Sequence, residues 1–419
     1  MTTRPLGPWR VAIAGILCLA TAMGIGRFAF TPLLPMLLQQ NLVDLTGAGW
    51  LASANYIGYL VGALLCTVQP WLWQRLQGVR PLPALEPTVA VRCGLVATCV
   101  LTLGMAVYWQ PAWPLLRFAA GVASAFVFIY ISGWCLGQMA RMGVPAMGAL
   151  IYTGPGIGIV VSGVAASGML AWHWPAWAGW LAFGLLAMVL TTLVWPTLSW
   201  RAPQAAAPAA ATTTAPAVAP PADSSARHGP TELATLTVAY GLAGFGYIIT
   251  ATFLPVIARQ VMPASPWLDL FWPLFGAGVI GGALVASRLK VAVDLRMLLA
   301  VCYGVQALGV AAGLVAPNLA GFAIGSLLLG LPFTAITFFA MQEVRRVRPR
   351  AASAYMGLLT ATYGIGQIVG PPMASALLAR SVSARAGFDL SLEIAAGSLV
   401  LGAALYVFMV RRWPARDRA

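Results

Sequence analysis

Apolar residues run along the chain in long continuous windows, and short polar stretches separate them. A helix that crosses a bilayer needs about 20 apolar residues, and in lipid every backbone polar group must be satisfied within the protein. The windows are continuously apolar rather than alternating, which argues against a membrane β-barrel. We therefore predict an all-α integral membrane protein with twelve transmembrane helices, in the windows 10–38, 48–72, 90–109, 113–140, 146–171, 176–199, 232–258, 267–288, 296–315, 319–343, 352–379 and 390–410.

One stretch between the windows has a different composition. Residues 201–230 are rich in Ala, Pro and Thr and nearly uncharged until their end, so they offer too little apolar surface to fold. We predict a disordered cytoplasmic linker there. It separates an N-terminal half of six helices, residues 1–200, from a C-terminal half of six helices, residues 231–419.

The two halves repeat small residues at a nearly constant spacing. The pairs 220 positions apart are Gly24 and Gly244, Gly26 and Gly246, Pro35 and Pro255, Gly58 and Gly278, and Gly62 and Gly282, while Gly156 and Gly158 recur 208 positions later as Gly364 and Gly366. Glycines four residues apart let helices approach closely, and Pro32, Pro35 and Pro255 are predicted to kink the first and seventh helices. A duplicated six-helix unit is typical of carriers whose halves rock around a central site.

Composition and charge support a membrane protein rather than a nucleic-acid binder. Of 419 residues, 60% are hydrophobic and 8% charged, and the net charge is +14. Nineteen of the 24 Lys and Arg lie in the termini and the loops of one side, three lie in the loops of the other side, and two lie within helices. This asymmetry places both termini in the cytoplasm, with anionic lipid as the only partner that the basic loops need.

Two segments resemble a known family. The sequences GIGRFAFTPLLPMLL (24–38) and AGWLASANYIGYLVGALL (48–65) resemble the YbfB/YjiJ branch of bacterial permeases in the major facilitator superfamily. Arg117 and Gly121 resemble the start of that superfamily's R-x-x-x-G pattern in the fourth helix. The resemblance implies a monomeric permease of the inner membrane, with a cavity lined from helices 1, 2, 4 and 5 and their counterparts.

Arg27 lies about 18 residues into the first helix, and no acidic residue lies at its depth. A cation at the centre of a bilayer helix costs about 2.5–3.5 kcal/mol on insertion scales, so it needs partners. Three interpretations stay open. Main-chain carbonyls near Pro32 and Pro35, with Asn55 or facing tyrosines, accept its hydrogen bonds; it binds an anionic substrate; or it snorkels outward. For Arg117, about one turn from the outer surface, snorkelling is the leading interpretation.

Other polar side chains share helix faces with these arginines or lie in the middle of the windows. They either line a cavity or hydrogen-bond across packed helices. The candidate substrate-binding residues are Arg27, Thr31, Asn55, Tyr59, Arg117, Tyr130, Tyr152, Tyr247, Tyr363 and Gln367, and the candidate packing or hinge residues are Gly24, Gly26, Pro32, Pro35, Gly58, Gly62, Gly156, Gly158, Pro255, Gly278 and Gly282.

The sequence offers no set of residues for catalysis. His173 and His228 are the only histidines, the cysteines lack metal spacing, and we expect neither an enzyme nor a cofactor nor a metal. We predict a transporter that moves a small organic solute, with an anion as one candidate, by alternating access. Two alternatives stay open: proton-linked efflux of an amphipathic compound, and a transporter-like sensor or assembly partner without flux.

Overall fold

A computed structural model describes residues 6–77, 86–199, 229–263, 265–288, 294–348 and 352–414. Every regular element in those ranges is helical, and none is a strand. The predicted linker lies almost wholly outside the described residues. The helices are α1 (Pro8–Gln39), α2 (Leu45–Gln77), α3 (Pro87–Gly104), α4 (Trp113–Arg141), α5 (Gly154–Ala171), α6 (Ala176–Leu198), α7 (Pro230–Val261), α8 (Phe271–Arg288), α9 (Leu295–Val315), α10 (Leu319–Val347), α11 (Ala352–Arg380) and α12 (Ala384–Arg412).

Each apolar window coincides with one of these helices, which confirms the all-α, multi-pass prediction. Eleven helical spans in the described residues are long and apolar enough to cross a membrane. The window 352–379 lies on α11, which is not among the eleven, because Gln367 and two prolines in its middle make it less apolar. Twelve crossings therefore stay a prediction for that window.

Two of the helices are not continuous, contrary to the uniform windows. In α1, a π-helical segment, Ala20–Ile25, and a turn precede the helical segment Phe30–Gln39. In α10, Leu319–Gly330 and Phe333–Val347 are separate segments that meet at Pro332. Proline removes a backbone donor and its ring crowds the carbonyl four residues earlier, which accounts for the interruption of α10.

The centre of the molecule is formed by α1 and α7. In each of them 83% of the apolar window is buried, against 33–56% in the other spans. The N-terminal group, α1–α6, meets the C-terminal group, α7–α12, where α2 packs on α11, α5 on α8, and α1 on α7. A residue in the middle of α1 or α7 therefore lies between the groups rather than against lipid.

Glycines lie where helices approach most closely. A Cβ on Gly58 of α2 would lie 1.9 Å from the carbonyl oxygen of Phe118, and one on Gly121 of α4 would lie 2.0 Å from that of Asn55. These two helices thus touch main chain to main chain, and α4 holds α2 in a fixed position. Cβ atoms would also come under 3.0 Å from a neighbouring atom at Gly24, Gly26, Gly62, Gly156, Gly158, Gly278 and Gly282.

Candidate functional site

The interruption of α1 exposes main-chain acceptors beside Arg27. Pro32 has no N–H to give to the carbonyl oxygen of Phe28, and that oxygen accepts instead from the N–H of Thr31 at 3.2 Å. The N–H of Thr31 is the group that would otherwise bond the carbonyl oxygen of Arg27. The carbonyls of Gly26 and Arg27, in the turn of this buried helix, therefore need donors from elsewhere in the protein.

Arg117 supplies those donors. Its Nη1 donates to the carbonyl oxygen of Gly26 at 3.3 Å and its Nη2 to that of Arg27 at 3.2 Å. The side chain is 2% exposed, and its guanidinium carbon lies 4.8 Å from the ring centroid of Phe30. Outward snorkelling, the leading sequence-based interpretation of Arg117, is therefore wrong. The turn in α1 offers acceptors inside the protein, and both terminal nitrogens of Arg117 are used on them.

Arg27 lies in a different environment, formed mostly by aromatic rings. Its side chain is 3% exposed, so outward snorkelling is wrong here as well. Its guanidinium carbon lies 4.1 Å from the ring centroid of Tyr59, 5.1 Å from that of Tyr56 and 5.3 Å from that of Phe28. Its Nη2 donates to the side-chain oxygen of Gln367 at 2.8 Å, and its Nε has no hydrogen-bond partner in the structure.

No carboxylate of the described residues forms an ion pair with Arg27. Aromatic faces attract a cation by roughly 0.5–2 kcal/mol each, and a neutral amide oxygen adds one hydrogen bond. Arg27 is thus a buried cation without an opposite charge, as its sequence neighbourhood predicted.

Gln367 connects Arg27 to α7. Its Nε2 donates to the hydroxyl of Tyr247, whose ring stacks on Tyr363 at 5.9 Å and meets Phe333 edge-on at 5.0 Å. One amide thus bridges α1 of the N-terminal group and α7 of the C-terminal group. The structure brings together five of the sequence-based candidates at this point: Arg27, Tyr59, Tyr247, Tyr363 and Gln367.

The remaining polar candidates lie in other contacts. The Thr31 hydroxyl donates to the carbonyl oxygen of Ala251 at 2.9 Å, and Asn55 Nδ2 donates to that of Arg117 at 2.9 Å. One sequence-based interpretation expected Asn55 to accept a hydrogen bond from Arg27, and the structure shows that it does not. Tyr130, in the predicted cytoplasmic half of α4, donates to Gln69 at 3.3 Å, and Tyr152, in the short 3-10 segment before α5, lies against Phe128.

Sequence reasoning missed two of the rings around Arg27. Phe28 is its neighbour in the chain, and Tyr56 lies three residues before Tyr59 on one face of α2, so helical spacing could have identified Tyr56. The Tyr56 hydroxyl pairs with that of Thr252 at 3.1 Å, which is a further link between the two helix groups.

A separate buried ion cluster lies at the predicted cytoplasmic ends of α7, α9 and α10. Arg296, with a side chain 0% exposed, pairs with Glu232 at 3.2 Å, with Asp294 at 2.8 Å and with Glu343 at 3.5 Å. Glu343 also pairs with Arg346 at 2.5 Å. Arg296 is thus neutralised within the protein, while the expectation that the basic loops need no external partner beyond lipid stays a prediction. Among the described residues the ion pairs of this cluster join α7, α9 and α10, and they tie these helices of the C-terminal group together.

Comparisons with known proteins agree with this architecture. A family model described as "Uncharacterised MFS-type transporter YbfB" matches residues 19–407. No curated protein matches the chain. Among solved structures, the nucleoside transporter NupG is similar with a TM-score of 0.65 at 16% identity, covering 96% of this chain and 99% of that one. A mutant of NupG with one aspartate replaced by alanine gives a TM-score of 0.67 at the same identity and coverage.

Proposed function

The chain belongs to the YbfB family of MFS-type transporters, and from that premise we propose that it carries a small organic anion across the bacterial inner membrane by alternating access. The family and the fold support membrane transport of a small solute by a permease rather than an enzyme. The anionic cargo, the inner membrane, cytoplasmic termini, two rocking halves and a monomeric state are our proposals.

The anionic cargo rests on one observation, the isolated charge of Arg27. The Nε of Arg27 lacks a partner, and its Nη2 bonds only the amide of Gln367. The residue lies on α1 and faces α11, where the two helix groups meet. A carboxylate of the substrate would supply the missing opposite charge through bonds that are roughly twice as strong as neutral ones. Arg117 also has an unpartnered Nε, but main-chain carbonyls accept from both of its terminal nitrogens, so it differs from Arg27 in having no displaceable side-chain partner.

The proton-linked alternative needs a group that changes charge during the cycle. Among the described residues the buried carboxylates are Glu232 and Glu343, and both pair with Arg296 in the cytoplasmic ion cluster rather than near Arg27. We therefore favour facilitated transport or exchange. Flux that follows an imposed pH gradient in proteoliposomes would instead support the proton-linked alternative.

Ligand-induced stabilisation of the purified protein tests the anionic cargo. Organic carboxylates should raise the unfolding temperature of the wild type, because a ligand that binds only the folded state stabilises it. Arg27→Met should abolish this shift, and Arg27→Lys should reduce it because lysine lacks the guanidinium fork. Arg385→Gln, at a pair whose arginine is 56% exposed, is the matched control and should respond as the wild type does.

A neutral nucleoside is the informative counter-ligand, since the structural neighbour NupG is a nucleoside transporter. If uridine stabilises the wild type and Arg27→Met equally, and carboxylates stabilise neither, the anionic cargo is wrong while the permease assignment stands.

A further inference from the structure

In the part of the chain that the structure describes, side-chain hydrogen bonds between the two helix groups lie toward one side of the molecule. Six side-chain bonds of the described residues join α1–α6 to α7–α12, and one of them is the bond from Arg27 to Gln367. The other five form what we call the outer seam, with the pairs Thr31 to Ala251, Ser53 to Ile368, Tyr56 to Thr252, Ser167 to Asp269 and Ser375 to Leu45, at distances of 2.8–3.2 Å.

The outer seam lies toward the ends of the helices that charge asymmetry places outside. Thr31 and Ala251 lie in the final parts of α1 and α7, and Ser375 is near the end of α11. On the side that charge asymmetry assigns to the outside, these five bonds tie the two helix groups together. The bond from Arg27 to Gln367 is the innermost of the six, so it lies where a central site would meet the outer seam.

Gln367 occupies the position on Arg27 that suits a carboxylate. Its amide oxygen accepts from Nη2 at 2.8 Å, the distance of a charge-assisted bond, yet it carries no net charge. A carboxylate of similar size could accept from both Nη2 and the unpartnered Nε in the two-pronged geometry that guanidinium groups favour. The amide is thus the weaker of two competing partners for Arg27.

The residues around Arg27 limit what the rest of a ligand that carries this carboxylate can be. The second buried arginine, Arg117, bonds main-chain carbonyls through both terminal nitrogens and leaves only its Nε unpartnered, so Arg27 is the guanidinium whose side-chain partner a ligand can displace. The neighbouring surfaces are rings, including Tyr59, which lies over Arg27, and the stacked pair of Tyr247 and Tyr363. This combination matches one negative charge on a planar apolar body.

We propose that the substrate is a planar monocarboxylate and that Gln367 is an internal competitor: its amide oxygen occupies the position on Arg27 where the substrate's carboxylate binds. The proposal rests on the proposed function and names the substrate class of the same site. Binding of the substrate breaks the link from α1 through Gln367 to α7, which loosens the outer seam at its inner end.

Benzoate binding to three variants tests the competitor role, measured by calorimetry on the purified protein. Gln367→Met keeps the volume but removes the acceptor, and should bind benzoate about tenfold tighter because a bond to a charged group no longer has to be broken. Gln367→Glu places a permanent carboxylate against Arg27 and should bind about tenfold weaker. Gln306→Met is the control, because Gln306 is equally buried but bonds Leu329 within the C-terminal group.

Weaker binding by Gln367→Met, in a protein as stable as the wild type, would make Gln367 a ligand of the substrate and overturn the competitor role. Succinate, a dianion, and benzamide, a neutral isostere, test the substrate class, and both should bind more weakly than benzoate. If succinate binds tightly and depends on Arg27 while benzoate does not bind, the monocarboxylate is wrong and the proposed anion transport stands. If no anion depends on Arg27, the proposed function itself fails.

Discussion

Arg27 and Arg117 are both buried arginines, and the structure predicts opposite consequences of replacing them. Arg117→Met removes the donors to the carbonyl oxygens of Gly26 and Arg27 in the turn of α1. Arg27→Met removes one bond to Gln367 and a cation that has no opposite charge. We expect Arg117→Met to destabilise the protein and Arg27→Met to leave its stability unchanged or to increase it.

The magnitude follows from the groups that each replacement leaves behind. A buried acceptor that loses its partner costs about 1–3 kcal/mol, and Arg117→Met creates two of them. Removal of a poorly compensated buried charge offsets part of that loss. Hydrogen bonds measured within membranes are worth about 0.6 kcal/mol on average, which favours the lower end. We expect a net loss of about 2 kcal/mol, or about 30-fold in the ratio of folded to unfolded protein.

The cysteines of the protein provide the assay. Cys18, Cys66, Cys99 and Cys135 are buried, whereas Cys93 is exposed and Cys302 partly exposed. The rise in labelling by a thiol-reactive dye above the level of the folded protein therefore reports unfolding in detergent, as the protein is heated or titrated with denaturant. Wild type and both variants are compared at the same protein and detergent concentrations. Arg117→Met should become reactive at a lower temperature or denaturant concentration than Arg27→Met.

The reverse order would refute the reasoning. If Arg27→Met unfolds first and Arg117→Met unfolds with the wild type, Arg27 is the structural residue and the case for it as the anion site fails. Anion binding gives an independent check, since Arg27→Met should lose it while the residual folded fraction of Arg117→Met should keep it.

Two further predictions concern packing and acid stability. Gly58→Ala should destabilise the protein by about 1–3 kcal/mol or prevent folding, because its Cβ would lie 1.9 Å from a carbonyl oxygen of α4. Gly133→Ala is the control: a Cβ there would have nothing within 4 Å, so its stability in the same dye assay should equal that of the wild type. Burial opposes ionisation of Asp294, but hydrogen bonds from the side chain and N–H of Arg296 outweigh it and lower the pKa of the carboxyl. The stabilisation by ionised Asp294 is therefore present above an ordinary carboxyl pKa of about 4 and is lost as the pH falls below it. Asp294→Asn should be less stable than the wild type at pH 7, and its unfolding temperature should fall less steeply in acid. An unchanged fall in acid would contradict this.

The helices could be predicted from the sequence because lipid imposes a strong local constraint. Each apolar window became a helix, and the family that its first two segments resembled is the family to which the chain belongs. The interruption of α1 was not predicted, although Pro32 was noted as a kink. A proline in the sequence shows that one backbone N–H is missing. Whether the helix then breaks depends on which donors elsewhere in the protein can bond the freed carbonyl oxygens.

The candidate site could be predicted in part. Arg27, Tyr59, Tyr247, Tyr363 and Gln367 were chosen as polar residues of different helices, and they meet in the structure. The same criterion also selected residues that do not join them, because depth along a helix does not give the rotation of the helix or the identity of its neighbour.

The sequence by itself determined which segments are apolar enough to form helices, in which loops positive charge collects, and that no acidic residue lies near Arg27 along the first helix. These properties are local, because they depend on each segment's own composition and on distance along one helix. Only the tertiary structure decided that Arg117 satisfies the turn of α1 while Arg27 keeps an amide and three rings as partners. That difference arises from which helices face each other, since the acceptors and donors of a buried arginine come from residues far away in the chain.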